Sequence, residues 1–275
     1  MMGQRIPAVN GIPQIGFGTY GRLGEDGIAA IVAALDMGYR HLDTAQDYGT
    51  EVSVGQAAKL SGVPRPELFV TTKVSRANLH SSRFIPSVRE SLDTLQLEQV
   101  DLLLIHWPVP EEQVPFESYI EALGEALAAG YTRLVGVSNF NIAMIDRAEA
   151  MLGQGTIATN QVEVHPFLQN RTLRAHCAAK SIVTTAYMPL AKGKVSEDPT
   201  IKSIAYAHAC EPAQVSLAFL IAEGLIVIPA SGNAGRMKEN LAALELRLTP
   251  DEITLIRGCE RGGRMIQPKL EWWDV

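Results

Sequence analysis

Positive charge is in short supply in this 275-residue chain: 24 Lys and Arg stand against 30 Asp and Glu, a formal net charge of -6. No cationic surplus remains to neutralise phosphates, so nucleic acids and anionic bilayers are not expected partners. Cysteine is scarce too. Cys177, Cys210 and Cys259 are odd in number and widely separated, with no C-x-x-C, which suits neither a disulfide framework nor a zinc site. Reduced, packed thiols and no metal are expected. Long apolar runs are also missing. The most apolar late stretch, Leu217 to Ala230, is broken by Glu223 and Gly224 and falls short of the roughly 20 residues of a membrane helix. It reads as a buried helix followed by a buried strand. Met1 to Gly11 has no apolar run or small-residue cleavage site, so a cytoplasmic location is expected. Aromatic residues are few, 6% against 47% hydrophobic. Length and composition fit one large α/β domain with a full core, since α/β barrels run to about 250 residues undivided.

What the sequence does contain is alternation. Short β-rich apolar runs fall at Ile15 to Thr19, His41 to Ala45, Leu68 to Val74, Asp101 to Trp107, Leu134 to Asn139, Thr159 to His165, Ile182 to Pro189 and Ile226 to Ser231. Helical patterns lie between them at Glu25 to Met37, Glu51 to Leu60, Ser82 to Leu95, Phe116 to Ala129, Ile142 to Leu152 and Arg171 to Lys180, with two more spanning Pro199 to Ala222. Strands alternating with helices predict a parallel sheet with crossover connections. Several helices stop at glycine, as in Ser61-Gly62 and Ala129-Gly130, because glycine accepts a left-handed cap without strain. Length alone leaves two domains open, but no linker, low-complexity tract or charged tail interrupts the pattern. The expected fold is a single-domain (β/α)8 TIM barrel over residues 1-275, with a short N-terminal hairpin and a C-terminal tail.

An open doubly wound sheet is the rival, and Gly16-Phe17-Gly18-Thr19-Tyr20-Gly21 matches its G-x-G-x-x-G dinucleotide signature. Arg22-Leu23-Gly24 follows before helical periodicity begins, whereas that motif's third glycine belongs inside the helix. A glycine-rich strand edge and turn is the better reading.

In a barrel the active site gathers where strands end and βα loops begin. Asp43, Lys73, His106 and Ser138-Asn139 each sit at the tail of an apolar run, where a buried charge needs a partner. Asp43 and Lys73 are expected to pair. Tyr48, five residues beyond Asp43, is expected to lean over that pair, so that the ammonium lowers the phenol's pKa and makes it a usable acid. A neutral His106 would donate an N–H to a substrate oxygen. Each residue alone has a plainer explanation: a structural ion pair, a core histidine, a tyrosine packed on the rim. Their recurrence at one end of successive units favours chemistry.

Asp43-Thr44-Ala45-Gln46-Asp47-Tyr48, Thr72-Lys73, Leu104-Ile105-His106-Trp107-Pro108 and Gly136-Val137-Ser138-Asn139-Phe140 follow in order. Asn160-Gln161-Val162-Glu163 and Ile228-Pro229-Ala230-Ser231 come next, with Arg236 and Glu239-Asn240. Together they resemble the aldo-keto reductase superfamily over essentially the whole chain. Ala158-Thr159-Asn160-Gln161 and Phe167-Leu168-Gln169-Asn170-Arg171 are most similar to its bacterial 2,5-diketo-D-gluconate reductase B branch. The resemblance implies a catalytic set of Asp43, Tyr48, Lys73 and His106. It implies Ser138, Asn139 and Gln161 at a nicotinamide carboxamide, Tyr187 stacked on the ring, and Pro189 and Leu190 starting a loop over the pyrophosphate. Ser231 and Arg236 would take an adenosine 2′-phosphate, and Glu239 and Asn240 would contact adenine. The family often has lysine where this chain has Ala230, so NADP(H) with weaker use of NAD(H) is expected.

The implied activity is NADPH-dependent reduction of a small aldehyde, ketone or dicarbonyl, of 2,5-diketo-D-gluconate or methylglyoxal type. Tyr48 would be the general acid, and Tyr20 and Trp107 substrate walls, with Trp272 or Trp273 as further wall or tail anchor. A small-molecule carbonyl partner and a monomer are expected. Two other classes compete: an NADP(H)-binding redox-sensing or regulatory subunit with little turnover, and a barrel lyase using Lys73 as a Schiff-base amine.

Overall fold

The computed structural model describes residues 6–267; Trp272 and Trp273 lie outside them. The chain opens with an antiparallel hairpin, β1 (Ala8–Val9) and β2 (Ile12–Pro13). Then come β3 (Phe17–Gly18), α1 (Gly24–Asp36), β4 (His41–Asp43), α2 (Glu51–Leu60), β5 (Phe69–Val74), α3 (Ser81–Leu95), β6 (Val100–Ile105) and α4 (Phe116–Ala128). The second half holds β7 (Thr132–Ser138), α5 (Ile142–Leu152), β8 (Ile157–Glu163), α6 (Arg171–Ala179) and β9 (Val183–Tyr187). It ends with α7 (Pro199–Ala207), α8 (Pro212–Ala222), β10 (Ile226–Val227), α9 (Ala234–Ala242) and α10 (Pro250–Arg257).

Strands β3 to β10 form one parallel 8-stranded sheet in sequence order. The sheet closes on itself: Ile15 bridges Val227 in parallel, and Gly16 and Gly18 donate to the carbonyls of Val227 and Pro229. The expected (β/α)8 barrel and N-terminal hairpin are present. Closure also explains the glycine motif. A Cβ on Gly16 would lie 2.7 Å from His41 Nδ1, and one on Gly18 3.0 Å from the Ile228 carbonyl. These glycines let the first and last strands approach, and α1 starts only at Gly24.

The expected strands are all found, but most stop short. Residues 44–45, 106–107, 139, 164–165 and 188–189, read as strand ends, lie beyond the strands, although Thr44, His106, Asn139 and Val164 still donate their amides to the neighbouring strand. Strand alternation puts Phe69, Thr71 and Lys73 on the lumen face of β5, and Leu102, Leu104 and then His106 on that of β6. The lower lumen is apolar, with Phe69, Leu102, Leu104, Val183 and Ile226 all buried. Hairpin residue Ile12, wholly buried, plugs this bottom end. The upper lumen is polar, and the site lies there. A second and larger apolar layer packs helices on the outside of the strands.

Candidate active site

Lys73 is fully buried, and its ammonium is held 2.5 Å from Asp43 Oδ1 and 2.8 Å from the Thr44 carbonyl. The expected ion pair is formed. Asp43 accepts a second bond at Oδ2, from Gln161 Nε2 on β8 at 2.8 Å. Two charges sunk in a barrel lumen are tolerable only with this degree of satisfaction. The pairing keeps Lys73 protonated: burial works against the charge, but Asp43 and Tyr48 outweigh it and raise its pKa. An ammonium so engaged has no lone pair to attack a carbonyl, which speaks against the Schiff-base reading.

A 3-10 turn, Gln46–Tyr48, follows β4 and ends on Gly49, which takes φ +67°. It brings Tyr48 over the pair, with Lys73 Nζ 4.9 Å from the ring centroid. Gln46 anchors the turn by donating to Ser87 and Ser91 and accepting from the Ser75 amide. The expected direction of the Tyr48 shift is corrected here. Burial raises its pKa; Lys73 opposes that without overcoming it. The phenol holds its proton firmly, and the ammonium serves to stabilise the phenolate once the proton has gone.

His106 faces Tyr48 edge to face, with ring centroids 5.3 Å apart. It is neutral as expected, though mainly because burial pushes its pKa down; Asp47 pushes it back up and Lys73 adds a smaller downward push. Its Nδ1 lies 2.9 Å from the Asp47 carboxylate. A carboxylate can only accept, so the contact orients the ring within the site. Asp47 was not singled out among the candidate residues, and only its place in a turn beside Tyr48 could have flagged it.

These groups line a cavity of about 570 Å³. Tyr20, Asp43, Tyr48, His106, Trp107, Ser138, Asn139, Gln161, Tyr187, Pro189 and Leu190, all expected at the site, meet there. Asn139, at φ +62°, turns out of β7, donates to the His106 carbonyl and accepts from the Tyr187 hydroxyl at 2.9 Å. Ser138 Oγ donates to the Gln161 carbonyl. Lys192, Gly193 and Ile266 also line the cavity, none foreseen from sequence. Met188, Ala191 and Lys192 all take positive φ in the loop after β9, the concentration of backbone strain expected where a loop is shaped for a ligand.

Ser231, Arg236, Glu239 and Asn240 do not line this cavity. They follow its edge residue Ala230, in a turn where Ser231 and Asn233 bond each other and on α9, whose Arg236 amide Asn233 caps. Arg22 reaches the same turn. A Cβ on Gly232 would lie 2.3 Å from its Nη1, and its Nε is buried without a hydrogen-bond partner. The sequence singled out Arg22 only as a residue delaying α1.

A sequence model of the Aldo/keto reductase family matches residues 14–261. The chain belongs to the aldo/keto reductase family. It is 43% identical over 266 residues to methylglyoxal reductase DkgB of Escherichia coli O157:H7, covering 96% of this chain and 99% of that protein. An aldo-keto reductase of Mycobacterium marinum is 39% identical over 269 residues, 97% of this chain and 94% of that one. Among solved structures, one named provisionally as 2,5-diketo-D-gluconic acid reductase B superposes with TM-score 0.91 at 39% identity, covering 98% of each chain. The aldose reductase of Schistosoma japonicum gives 0.87 at 29% identity, over 93% of this chain and 91% of its own. Family membership makes the protein an oxidoreductase of the carbonyl-reducing kind. Among the described residues no helix is long and apolar enough to cross a membrane.

Proposed function

We propose that the protein reduces small aldehydes, ketones or dicarbonyls with NADPH, Tyr48 acting as the acid. The observation that carries this is a protonated phenol above a buried Lys73–Asp43 pair at the floor of an open cavity. The residues present fit a nicotinamide dinucleotide. The mouth offers amide and hydroxyl groups at Ser138, Asn139 and Gln161 and the flat ring of Tyr187, and the Arg22 side chain lies beside Gly232 in the Ser231–Arg236 segment. Such a group supplies a hydride when bound. Arg22 and Arg236 together offset the missing lysine at Ala230, because a guanidinium binds phosphate through paired, charge-assisted hydrogen bonds. Preference for NADPH, with weaker use of NADH, follows.

Tyr48 gives its proton to the carbonyl oxygen as negative charge develops there, and Lys73 stabilises the phenolate left behind. Asp43 and Gln161 hold Lys73 in place for that moment, so stabilisation is preorganised. The Tyr20 ring, 5.2 Å from that of Tyr48, and Trp107 flank the substrate. Methylglyoxal and 2,5-diketo-D-gluconate are the first substrates to try, given the names of the relatives.

Nicotinamide absorbance followed over a carbonyl panel, with NADPH and NADH side by side, tests the reading. NADPH oxidation with a small dicarbonyl is expected. Tight cofactor binding with no oxidation across the panel would overturn it in favour of a sensing role. The protein is expected to act as a monomer in the cytoplasm, with no polyanionic partner.

A further inference from the structure

Glu163 ends β8 with its side chain fully buried. Burial works against its charge, but His165 and two backbone amides outweigh burial and lower its pKa. The amides come from 102 and 103 positions further along the chain: Met265 donates to Oε1 at 2.5 Å and Ile266 to Oε2 at 2.8 Å. His165 Nε2 lies 3.0 Å from Oε1. A buried carboxylate is tolerable only when its lone pairs are satisfied in this way, so the charge and the docked segment depend on each other. The residues just before are stitched to the loop after β8. Arg261 and Gly263 donate their amides to the Phe167 carbonyl, and the Arg261 guanidinium stacks 3.8 Å from the Phe167 ring centroid. Beyond them Glu163 takes over, and Ile266 reaches the cavity as part of its wall. Lys192, from the loop after β9, adds one bond to the Met265 carbonyl at 3.2 Å.

In the closed ring of eight strands, β4 and β8 stand four places apart. The segment hung on Glu163 therefore enters the mouth from the side opposite Tyr48. A substrate whose carbonyl oxygen meets the Tyr48 hydroxyl extends away from Tyr48, and Ile266 closes the space it extends into. The cavity of about 570 Å³ has to hold the nicotinamide end of a dinucleotide as well, so the position of this wall decides how much room a substituent has. We propose that Glu163 is a specificity-determining anchor: it fixes Ile266 and thereby limits the site to carbonyl compounds with slender substituents, such as methyl or a linear chain. This rests on the reductase reading above. Glu163 is a positioning residue, because it acts through Ile266. Ring-bearing carbonyl compounds meet the wall and bind poorly while the anchor holds.

Two measurements test this. The first is hydrogen exchange at the Met265 and Ile266 amides of the cofactor-free protein. Glu163→Gln keeps the shape but leaves one acceptor oxygen for two amides, and exchange there is expected to quicken by about tenfold or more. The Arg261 and Gly263 amides, bonded to Phe167, should stay protected. The second is the ratio of kcat/KM for phenylglyoxal to that for methylglyoxal, dicarbonyls differing by phenyl against methyl. A rise of about tenfold over the wild type is expected in Glu163→Gln, the scale of a misfit in an apolar pocket. Ile266→Ala should raise the ratio as well, with the buried carboxylate untouched. Glu163→Asp, which draws the charge back by one methylene, is the milder variant and should move both readouts the same way, less far. A loss of general stability would lower kcat/KM for both dicarbonyls alike. Unchanged exchange at Met265 and Ile266 in the Glu163 variants, or a ratio indifferent to Ile266→Ala, overturns the proposal alone. So does faster NADPH release at an unchanged ratio, which would set Ile266 over the cofactor instead. Turnover of neither dicarbonyl by the wild type, with the two amides protected as expected, overturns the reductase reading, and the substrate limit with it.

Discussion

Gln161 on β8 donates its side-chain amide to Asp43 on β4 across the barrel lumen, at 2.8 Å. The bond joins the residue expected to hold a carboxamide to the ion pair beneath the proton donor. Its consequence is mechanical: the Lys73 ammonium has a fixed position because its carboxylate partner is held from two sides.

Removing that hold is expected to loosen the pair without breaking it. Gln161→Leu leaves Asp43 Oδ2 without a donor, and a lost bond to a charged group costs about 1.5–3 kcal/mol. Lys73→Met is expected to cost more, about 3–5 kcal/mol, because it strands the buried Asp43 charge. Urea unfolding of the two variants reads this order, and wild-type stability in Gln161→Leu would show that Gln161 adds nothing.

Tyr48→Phe removes the hydroxyl and keeps the ring. A loss in kcat of about 10²–10⁴-fold is expected, the range for a general acid, with NADPH affinity unchanged. Stopped-flow hydride transfer and a separate cofactor titration check the two halves. Wild-type turnover in this variant would remove Tyr48 from the chemistry.

Arg22→Ala is expected to weaken NADPH binding by about tenfold or more, as loss of a charge-assisted hydrogen bond implies. Ala230→Lys should tighten it. Quenching of protein fluorescence by NADPH, repeated with NADH, measures the effect and shows which phosphate Arg22 meets. A parallel loss for both cofactors points to the pyrophosphate, a loss for NADPH alone to the 2′-phosphate.

Buried His41 donates or accepts at one nitrogen only, with Nε2 2.9 Å from Thr71 Oγ1 and Nδ1 unpartnered. Burial lowers its pKa to about 4 from 6.5. Between those values the unfolded chain takes a proton that the fold refuses, so stability present above pH 6.5 is lost as pH falls towards 4. The span corresponds to about 3 kcal/mol at ~1.4 kcal/mol per unit. Chemical denaturation between pH 7 and 4 should show that slope, reduced in His41→Gln.

Periodicity carried most of the fold. Every expected strand and helix appears, because each apolar run has to be buried and glycines such as Gly62 and Gly130, at φ +67° and +76°, end helices where few other residues would. The ordered polar residues at strand ends carried the candidate site, since a charge such as Lys73 in an apolar run demands a partner. Strand ends were less legible. His106 and Asn139 were read inside strands that stop one residue earlier, because ladder pairing depends on a neighbouring chain that local pattern does not contain.

What the sequence by itself determined is therefore the alternating plan, the charge pair and the set of groups at one rim. Tertiary structure decided their states. Tyr48 holds its proton more tightly than its lysine neighbour suggested, because desolvation is set by how many atoms surround a group. Asp47 meets His106, and Arg22 meets Gly232, across 59 and 210 positions of chain. Contacts of that kind depend on how the barrel closes, and no local pattern in the amino-acid order encodes them.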